Sequence, residues 1–374
     1  MDIKTVCKMD SCTGCMACCN VCPRNAITIE DRIESYNAEI NLDVCIKCGL
    51  CEKVCPNIEE RKLSKPIFWK QGWAEDDIRR SSSSGGAASA LIREFISSGG
   101  YVASCLFENG EFVFSVTNDI EKAKKFAGSK YVKSNPRGIY KEIKQLLKQG
   151  QKVLFIGLPC QSAAAQNICG KHENLYTVDL ICHGTPSPKL LRQFITERGI
   201  CWENISDIKF RENEYFGLES NGVRLTPYRV LDSYLQLFLD SVDYTENCYS
   251  CRYATLERVS DITLGDAWGQ LSNTIPGGVS LILCQTKKGV ELIQRTGMYL
   301  VDVDLDKAVK ANHQLEHPSS KHSGRKKFFN ELRMGHSIKY ATFVIMPKES
   351  LKQSIKYLLT KLHLLKAVSP GGGV

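Results

Sequence analysis

No stretch of this 374-residue chain approaches the ~18 consecutive apolar positions that argue for a transmembrane helix. A secretory leader is not expected either: Met1 to Asp10 is polar, and cysteines follow at once. A cytoplasmic location is the expectation. No nucleic-acid-reading motif accompanies the Lys and Arg residues, which are dispersed, so nucleic acid is not an expected partner. Without an export signal, the 18 cysteines are not expected to pair as disulfides. Clustered cysteines in such a chain point to bound metal.

Length suggests about two or three domains. Hydrophobic residues at 43% and charged residues at 24% fit an ordinary globular composition. The net charge of +8 is unevenly spread: residues 1–60 hold 6 basic and 10 acidic side chains, so the excess positive charge lies beyond them. A basic body suits anionic cofactors or an acidic partner such as a small ferredoxin.

Eight cysteines fall in two runs of one spacing, C-x2-C-x2-C-x3-C-P. The first is Cys12, Cys15, Cys18, Cys22 and Pro23; the second is Cys45, Cys48, Cys51, Cys55 and Pro56. Two-residue gaps let a tight loop point three thiolates inward. The fourth cysteine begins a helical turn and is better placed for the other cluster. The spacing resembles that of bacterial two-cluster ferredoxins. It assigns Cys12, Cys15, Cys18 and Cys55 to one [4Fe–4S] cluster, and Cys45, Cys48, Cys51 and Cys22 to a second. Each proline turns the chain and removes an N–H that would otherwise need a partner. Structural zinc also uses four cysteines, but the duplicated spacing argues against it. Cys19 breaks the pattern and is read as a non-ligand. Cys7, Cys19, Cys105, Cys169, Cys201 and Cys284 are expected to be small buried thiols. Ala26–Ile29 and Glu39–Leu42 read as short strands between the runs.

A polar linker over 57–68 leads into a globular body. Ser81, Ser82, Ser83, Ser84, Gly85 and Gly86 precede an apolar stripe (Ala87, Ala88, Leu91, Ile92, Phe95, Ile96), which predicts a helix with a Ser/Gly N-terminus. Its serines are expected to cap it, and its free N–H groups to attract an anion such as phosphate. Residues 100–107 and 112–117 read as a β-hairpin, followed by Gly128-Ser-Lys130-Tyr131-Val132 and a helix over 138–149. Lys152–Ile156 and Leu175–Ile181 read as parallel strands of a βαβ unit with a right-handed crossover, around a helix at about 162–169. Cys160 and Cys182-His183 would then lie just past the carboxyl ends of the strands, where open α/β sheets put ligands. Cys248 and Cys251 form a C-x-x-C, readable as a redox dithiol, half of a zinc site or half of a cluster site. With Cys160 and Cys182 they complete a set of four thiols. Residues 260–269 read as a strand ending at Asp266 and Trp268, the latter a core residue or a cover for a planar cofactor. A helix over 350–367 puts Leu351, Ile355, Leu358, Leu359, Leu362 and Leu365 on one side, with Lys352, Lys356, Lys361 and Lys366 adding charge. It is expected to dock on its own domain, a membrane surface or partner being the other reading. Residues 369–374 read as a loose tail.

Several ordered pieces between about 80 and 270 together resemble the beta subunits of coenzyme F-420 (deazaflavin) hydrogenases and dehydrogenases. They are residues 80–86, 128–132, Gly157-Leu-Pro-Cys160-Gln161, Asp179 to Pro188, Cys248-x-x-Cys251 and Asp261 to Gly269. The resemblance implies an iron–sulfur flavoprotein. In it Ser82, Ser83, Ser84, Gly85, Gly86, Lys130 and Tyr131 would contact FAD, and Cys160, Cys182, Cys248 and Cys251 would ligate a third [4Fe–4S] cluster. Trp268 is a candidate cofactor contact; His183 and Asp266 are candidate proton donors at the cofactor edge. Leu158 stands where the family usually carries Thr, which removes a Thr-dependent cofactor contact. The fold class expected is α+β: a small dicluster ferredoxin-like domain (1–60), then an α/β flavin-binding domain with a partly parallel sheet, in two parts (61–148 and 149–340), and a basic amphipathic helix with tail (341–374). The function expected is an oxidoreductase passing electrons from ferredoxin or another low-potential donor to FAD and a small organic substrate. The alternative is an electron-transfer role, linked to deazaflavin or a partner protein, with no substrate chemistry of its own.

Overall fold

The structure is a computed structural model that describes residues 3–212, 215–269, 271, 274–362 and 364. Among the described residues thirteen strands form three sheets. In chain order they are β1 (Ile27–Asp31), β2 (Tyr36–Ile40), β3 (Phe68–Trp73), β4 (Tyr101–Glu108), β5 (Glu111–Thr117), β6 (Val153–Gly157), β7 (Leu175–Leu180), β8 (Ile208–Glu212), β9 (Tyr215–Ser220), β10 (Val223–Arg224), β11 (Ile262–Asp266), β12 (Ser280–Cys284) and β13 (Tyr299–Val301). β1 and β2 pair antiparallel in the N-terminal module, and β10-β9-β8 make a small meander. The remaining eight form one mixed sheet in the order β13-β3-β12-β11-β7-β6-β4-β5.

At the centre of that sheet β4, β6, β7 and β11 run parallel. β6 (Val-Leu-Phe-Ile-Gly) and β12 (Ser-Leu-Ile-Leu-Cys) are buried at every position. That is why both read as short continuous apolar runs and not as alternations. The sheet takes strands from both sides of residue 148, so the two expected parts of the body share one sheet. One core lies on the face covered by helix Ala87–Ser97; another packs helices Ile139–Lys148 and Pro159–Cys169 onto the other side of β6.

Boundaries differ from expectation at four places, each for a local reason. The second strand of the N-terminal pair is Tyr36–Ile40, not 39–42, because the pairing runs from Ile27 opposite Ile40 to Asp31 opposite Tyr36. The helix after β6 begins at Pro159, not 162, since proline is preset for a first helical turn. None of the serines at 81–84 caps helix Ala87–Ser97; its N-cap is Gly86, at φ +85°, and the Ala87 N–H goes to the distant Ser280 Oγ at 3.5 Å. The C-terminal helix is Pro347–Lys361, and Leu351, Ile355, Leu358 and Leu362 face solvent instead of docking on the body. Its one buried residue is Gln353, whose Oε1 accepts from the Leu231 N–H at 3.1 Å. Residues 363 and 365–367 of the expected helix, and the 369–374 tail, lie outside the described residues. Among the described residues no helix is long and apolar enough to cross a membrane.

Candidate functional site: three linked chambers

The two cysteine runs fold alike. In each, two backbone positions adopt positive φ to turn the x2 gaps: Gly14 and Met16 (69° and 60°) in the first, Lys47 and Gly49 (54° and 71°) in the second. Each repeat thus places one glycine in the left-handed region and forces one side-chain-bearing residue there as well. Short helices, Ala17–Val21 and Leu50–Val54, follow at equivalent places. Gly14 has a further constraint, because a Cβ there would stand 2.7 Å from the Tyr36 ring.

Cys12, Cys15, Cys18 and Cys55 are buried together around a small cavity. Cys22, Cys45 and Cys51 are partly exposed and Cys48 is exposed. One half of the module therefore faces solvent and the other faces the body. The body holds it by side chains: Tyr140 donates to the Cys15 carbonyl (2.9 Å), Lys133 Nζ to the Thr13 carbonyl (3.1 Å), and Asn20 Oδ1 accepts from the Gly138 N–H (3.0 Å).

Of the six cysteines outside the proposed ligand sets, Cys7 and Cys284 are buried as expected, and Cys19, Cys105 and Cys169 are partly so. Cys201 is instead exposed, because it sits in the turn ahead of the short 3-10 segment Trp202–Asn204; its thiol donates to Glu203 Oε2 at 3.1 Å. Cys7 is more than a filler. It stands among Cys12, Cys55 and Asn57 on the wall of the small cavity. It also lines a second chamber of about 330 Å³. There Cys160, Cys182, Cys248 and Cys251 face one another. Cys160 comes from the first turn of helix Pro159–Cys169, Cys182 from the loop two residues past β7, and the other pair from the 3-10 turn Glu246–Ser250 and its end. Burial pushes the Cys160 thiol well up and takes Cys182 to about 12. The donor set is soft and anionic only when a cation holds it, since a coordinating thiol is deprotonated outright. Among the described residues no three ligating side chains converge on one point where a single ion would sit.

The Cys248–Cys251 segment is tied to the strand ends on one side by the Thr245 N–H, which donates to the Thr185 carbonyl at 3.0 Å, and on the other by Arg258. It is buried, donates to Asp179 Oδ1 at 3.1–3.2 Å and to the Leu180 carbonyl at 2.8 Å, and reaches back to the Tyr253 carbonyl. Burial pushes the Asp179 carboxyl up, opposed chiefly by the Arg258 charge.

Leu158, Cys182, His183, Gly184 and Thr185 also line a third chamber of about 250 Å³. It lies along the carboxyl edge of the sheet, where Leu158 follows β6, Cys182 lies two residues past β7 and Asp266 ends β11. Ser82, Ser83, Ser84 and Gly86 reach it because β3 points the same way as β11, so the helix between β3 and β4 starts at this edge. The serines are engaged by protein: Ser83 Oγ accepts from the Ser129 N–H (2.7 Å), Ser84 donates to the Val279 carbonyl (3.1 Å), and Ser82 pairs with Ser89 (3.0 Å). Gly85 is needed for packing, since a Cβ would lie 2.5 Å from the Gly72 carbonyl and the Ser280 nitrogen. Lys130 Nζ donates to the Phe126, Ala127 and Gly128 carbonyls (2.9–3.0 Å), which ties its loop; burial lowers its pKa. Tyr131 stacks on Phe238, centroids 4.5 Å apart. Trp268 is no core residue: it is 46% exposed, at the mouth of the chamber, with the Arg211 guanidinium 5.7 Å from its ring.

Asp266 accepts from Arg211 at 2.7 Å, an ion pair with only the carboxylate partly open to solvent. His183 is pushed down to about 4, first by burial and then by His313, so it is neutral near pH 7. Its Nδ1 meets Gln314 Nε2 at 2.7 Å; as the amide is placed, the imidazole keeps its proton on Nε2. Arg211, Gln314 and Cys7 are not singled out by any sequence pattern. Only Cys7 leaves a trace there, as an unassigned cysteine five residues ahead of the first run.

Tyr244 backs the Cys182–Gly184 turn: a Cβ on Gly184 would stand 2.3 Å from its ring, and Gly184 has φ +140°. Beside it Asp243 is fully buried, and among the described residues neither carboxylate oxygen has a hydrogen-bond partner. Burial takes its pKa to about 8, with the Arg325 charge opposing. A folded pKa above the unfolded one means stability is present at low pH and lost as pH rises towards 8. Asp243→Asn is therefore expected to stabilise the protein by on the order of 5 kcal/mol at pH 8 and by little near pH 4. Unfolding midpoints of both proteins across pH 4–8 check this; a constant difference would refute it.

Known proteins are similar in sequence to both parts of the chain. Residues 150–301 match the family model for the carboxyl-terminal region of the coenzyme F420 hydrogenase/dehydrogenase beta subunits. The matched stretch contains β6, β7, β11, Cys160, Cys182, Cys248 and Cys251. Residues 11–57 match a 4Fe–4S dicluster domain. The F-420-dependent sulfite reductase of Methanocaldococcus jannaschii is 25% identical over 305 residues, 75% of this chain and 45% of that protein. One of the subunits of the F(420)H(2) dehydrogenase of Methanosarcina mazei is 26% identical over 181 residues, 44% of this chain and 51% of that one. The chain thus spans about half the length of the curated relatives it matches. A chain of the F420-reducing [NiFe] hydrogenase complex from Methanosarcina barkeri is 18% identical with a TM-score of 0.48, over 75% of this chain and 96% of that one. Residues 11–57 are thus similar to a 4Fe–4S dicluster domain, and residues 150–301 to the carboxyl-terminal region of the beta-subunit family.

Proposed function

We propose that this chain is an oxidoreductase that takes single electrons at its N-terminal module and delivers them to a flavin and a small organic substrate in the third chamber. The observation that carries the reading is the shared walls. Cys7 lines the first and second chambers, and Cys182 with His183 lines the second and third.

In this reading Cys12, Cys15, Cys18 and Cys55 hold one [4Fe–4S] cluster, and Cys22, Cys45, Cys48 and Cys51 another. Cys160, Cys182, Cys248 and Cys251 hold a third, and FAD occupies the third chamber. When bound, the clusters carry single electrons and the flavin turns them into two-electron reduction of an organic molecule. The chain's own residues do the rest. Cys22, Cys45, Cys48 and Cys51, being partly or fully exposed, form the inlet for ferredoxin or another low-potential donor. At the N-terminus of the 11-residue helix Ala87–Ser97 the Ala87 N–H goes to Ser280 Oγ at 3.5 Å, and the N–H groups after it are offered to a phosphate at the chamber wall. Lys130 and Ser83 support this site by holding its loops, not as direct contacts. Neutral His183, held by Gln314, presents its Nε2–H as a proton donor. Arg211, fixed by Asp266, puts a cation at the chamber wall, which suits an acidic substrate.

The test is anaerobic preparation with iron, sulfide and flavin assays, followed by reduction with a low-potential donor. About 12 irons and one FAD per chain are expected, four irons for each cluster. About 8 irons and no flavin would sink the reading. Full loading with flavin that reduces only a partner protein, and no small molecule, would give the chain an electron-transfer role alone.

A further inference from the structure

The C-terminal helix Pro347–Lys361 is built inside out for a helix on a globular protein. At 100° per residue, Leu351, Ile355, Leu358 and Leu362 fall within about 60° of one another. All four are exposed, by 49–57% of their surface. The opposite side carries Gln353, which is buried, accepts from the Leu231 N–H and donates to Glu349 Oε1 at 2.8 Å. An amphipathic surface helix normally turns its apolar stripe to the core and its amides to water. Here the polar residue anchors the helix and the apolar stripe is presented outward. Lys348 and Lys352 flank the stripe on one side and Lys361 on the other, all exposed; the one acidic residue of the helix is Glu349. Tyr340 and Phe343, on the preceding helix Ile338–Ile345, are also about half exposed.

We propose that this face lies on an anionic lipid surface, with the apolar stripe at the level of the acyl chains and the lysines reaching the headgroups. Three features select that occupant. The stripe is an outward-facing row of leucine and isoleucine on a helix held from behind, as an interfacial helix requires. Its flanks are cationic, so the complementary surface is negative, and long lysine stems let the ammonium groups stay with the headgroups while the stripe inserts. A second copy of the chain would bring lysines against lysines along the same face, which opposes self-association. The contact needs no spanning segment and is independent of what the chambers bind.

The experiment uses the full chain, prepared anaerobically, sedimented with vesicles of phosphatidylcholine alone or with about 30% phosphatidylglycerol. Binding to the anionic vesicles is expected, with little to the neutral ones, and a several-fold loss when salt is raised to screen the lysines. Leu351→Asp with Leu358→Asp should lower the bound fraction at least about tenfold, because both charges enter the apolar layer. Its visible absorption and circular dichroism should match the parent's, since both side chains are more than half exposed; Lys348→Gln with Lys352→Gln serves as a second, milder variant that should weaken only the anionic-vesicle binding. Absence of binding to either vesicle, or binding that the double aspartate variant keeps, overturns the proposal. So does light scattering showing a dimer that the same variant dissolves, which would assign the face to a second copy.

Discussion

Cys182→Ser is expected to lower the iron content of the anaerobic protein from about 12 to about 8 per chain, and to uncouple the third chamber from the donor. Cys182 is the one cysteine among the described residues that lines both the second and third chambers. Changes to residues that merely orient a metal ligand cost about 10–100-fold, so loss of a proposed ligand on the shared wall should slow donor-driven flavin reduction by at least that. Chemical reduction of the flavin from solvent should be unaffected. Iron assay, paramagnetic resonance of the reduced protein and stopped-flow reduction read the three effects separately. Cys201→Ser, at an exposed position that lines none of the chambers, should change none of them. If Cys182→Ser keeps 12 irons and the parent's rate, the four-thiol assignment fails.

Arg258→Met should be the most destabilising single change outside the proposed ligands. Arg258 and Asp179 are 1% and 0% exposed as side chains, and Arg258 also holds the Tyr253 and Leu180 carbonyls. Removing one partner of a buried pair leaves the other charge unpaired in a low-dielectric setting, at a cost of about 3–5 kcal/mol. The companion change Asp179→Leu in the same chain should recover much of the thermal stability, since a buried pair and an apolar pair are often near equal in energy. It should not recover the iron of the second chamber, because the carbonyls of the Cys251–Arg258 loop would still lack their donor. Thermal midpoint and iron content of the single and double variants test this. Full recovery of both would mean that the pair supplies stability alone and does not position the loop.

Much of the site was legible before any coordinates. The duplicated spacing of Cys12–Cys22 and Cys45–Cys55 is local: its gaps impose the turns, so chain order alone locates the thiols. The βαβ unit was equally readable, because β6 and β7 are apolar runs with a helix between them and chirality leaves few alternatives. That put Cys160 and Cys182 on one sheet edge. Three things were not readable. The serines of 82–84 looked like free anion ligands, but their partners (Val279, Ser129, Ser89) lie in segments packed beside them, two of them distant in sequence. Trp268 could not be assigned to core or mouth without knowing what covers it. The C-terminal stripe signalled an amphipathic helix correctly, yet a period reports only that one face differs from the other, not which one meets the body.

By itself the sequence determined which residues carry chemistry: eight cysteines in a repeating pattern, four more at strand ends and in a C-x-x-C, and a Ser/Gly turn before a helix. These follow from spacing and periodicity, which act within a few residues. Only the tertiary structure decided how they connect. Cys7 stands between two chambers, Cys182 between the next two, and Arg258 draws the Cys248–Cys251 loop to the strands across a gap of about 70 residues in the chain. Long-range pairings of this kind are set by which buried groups satisfy one another, and no local pattern encodes that choice.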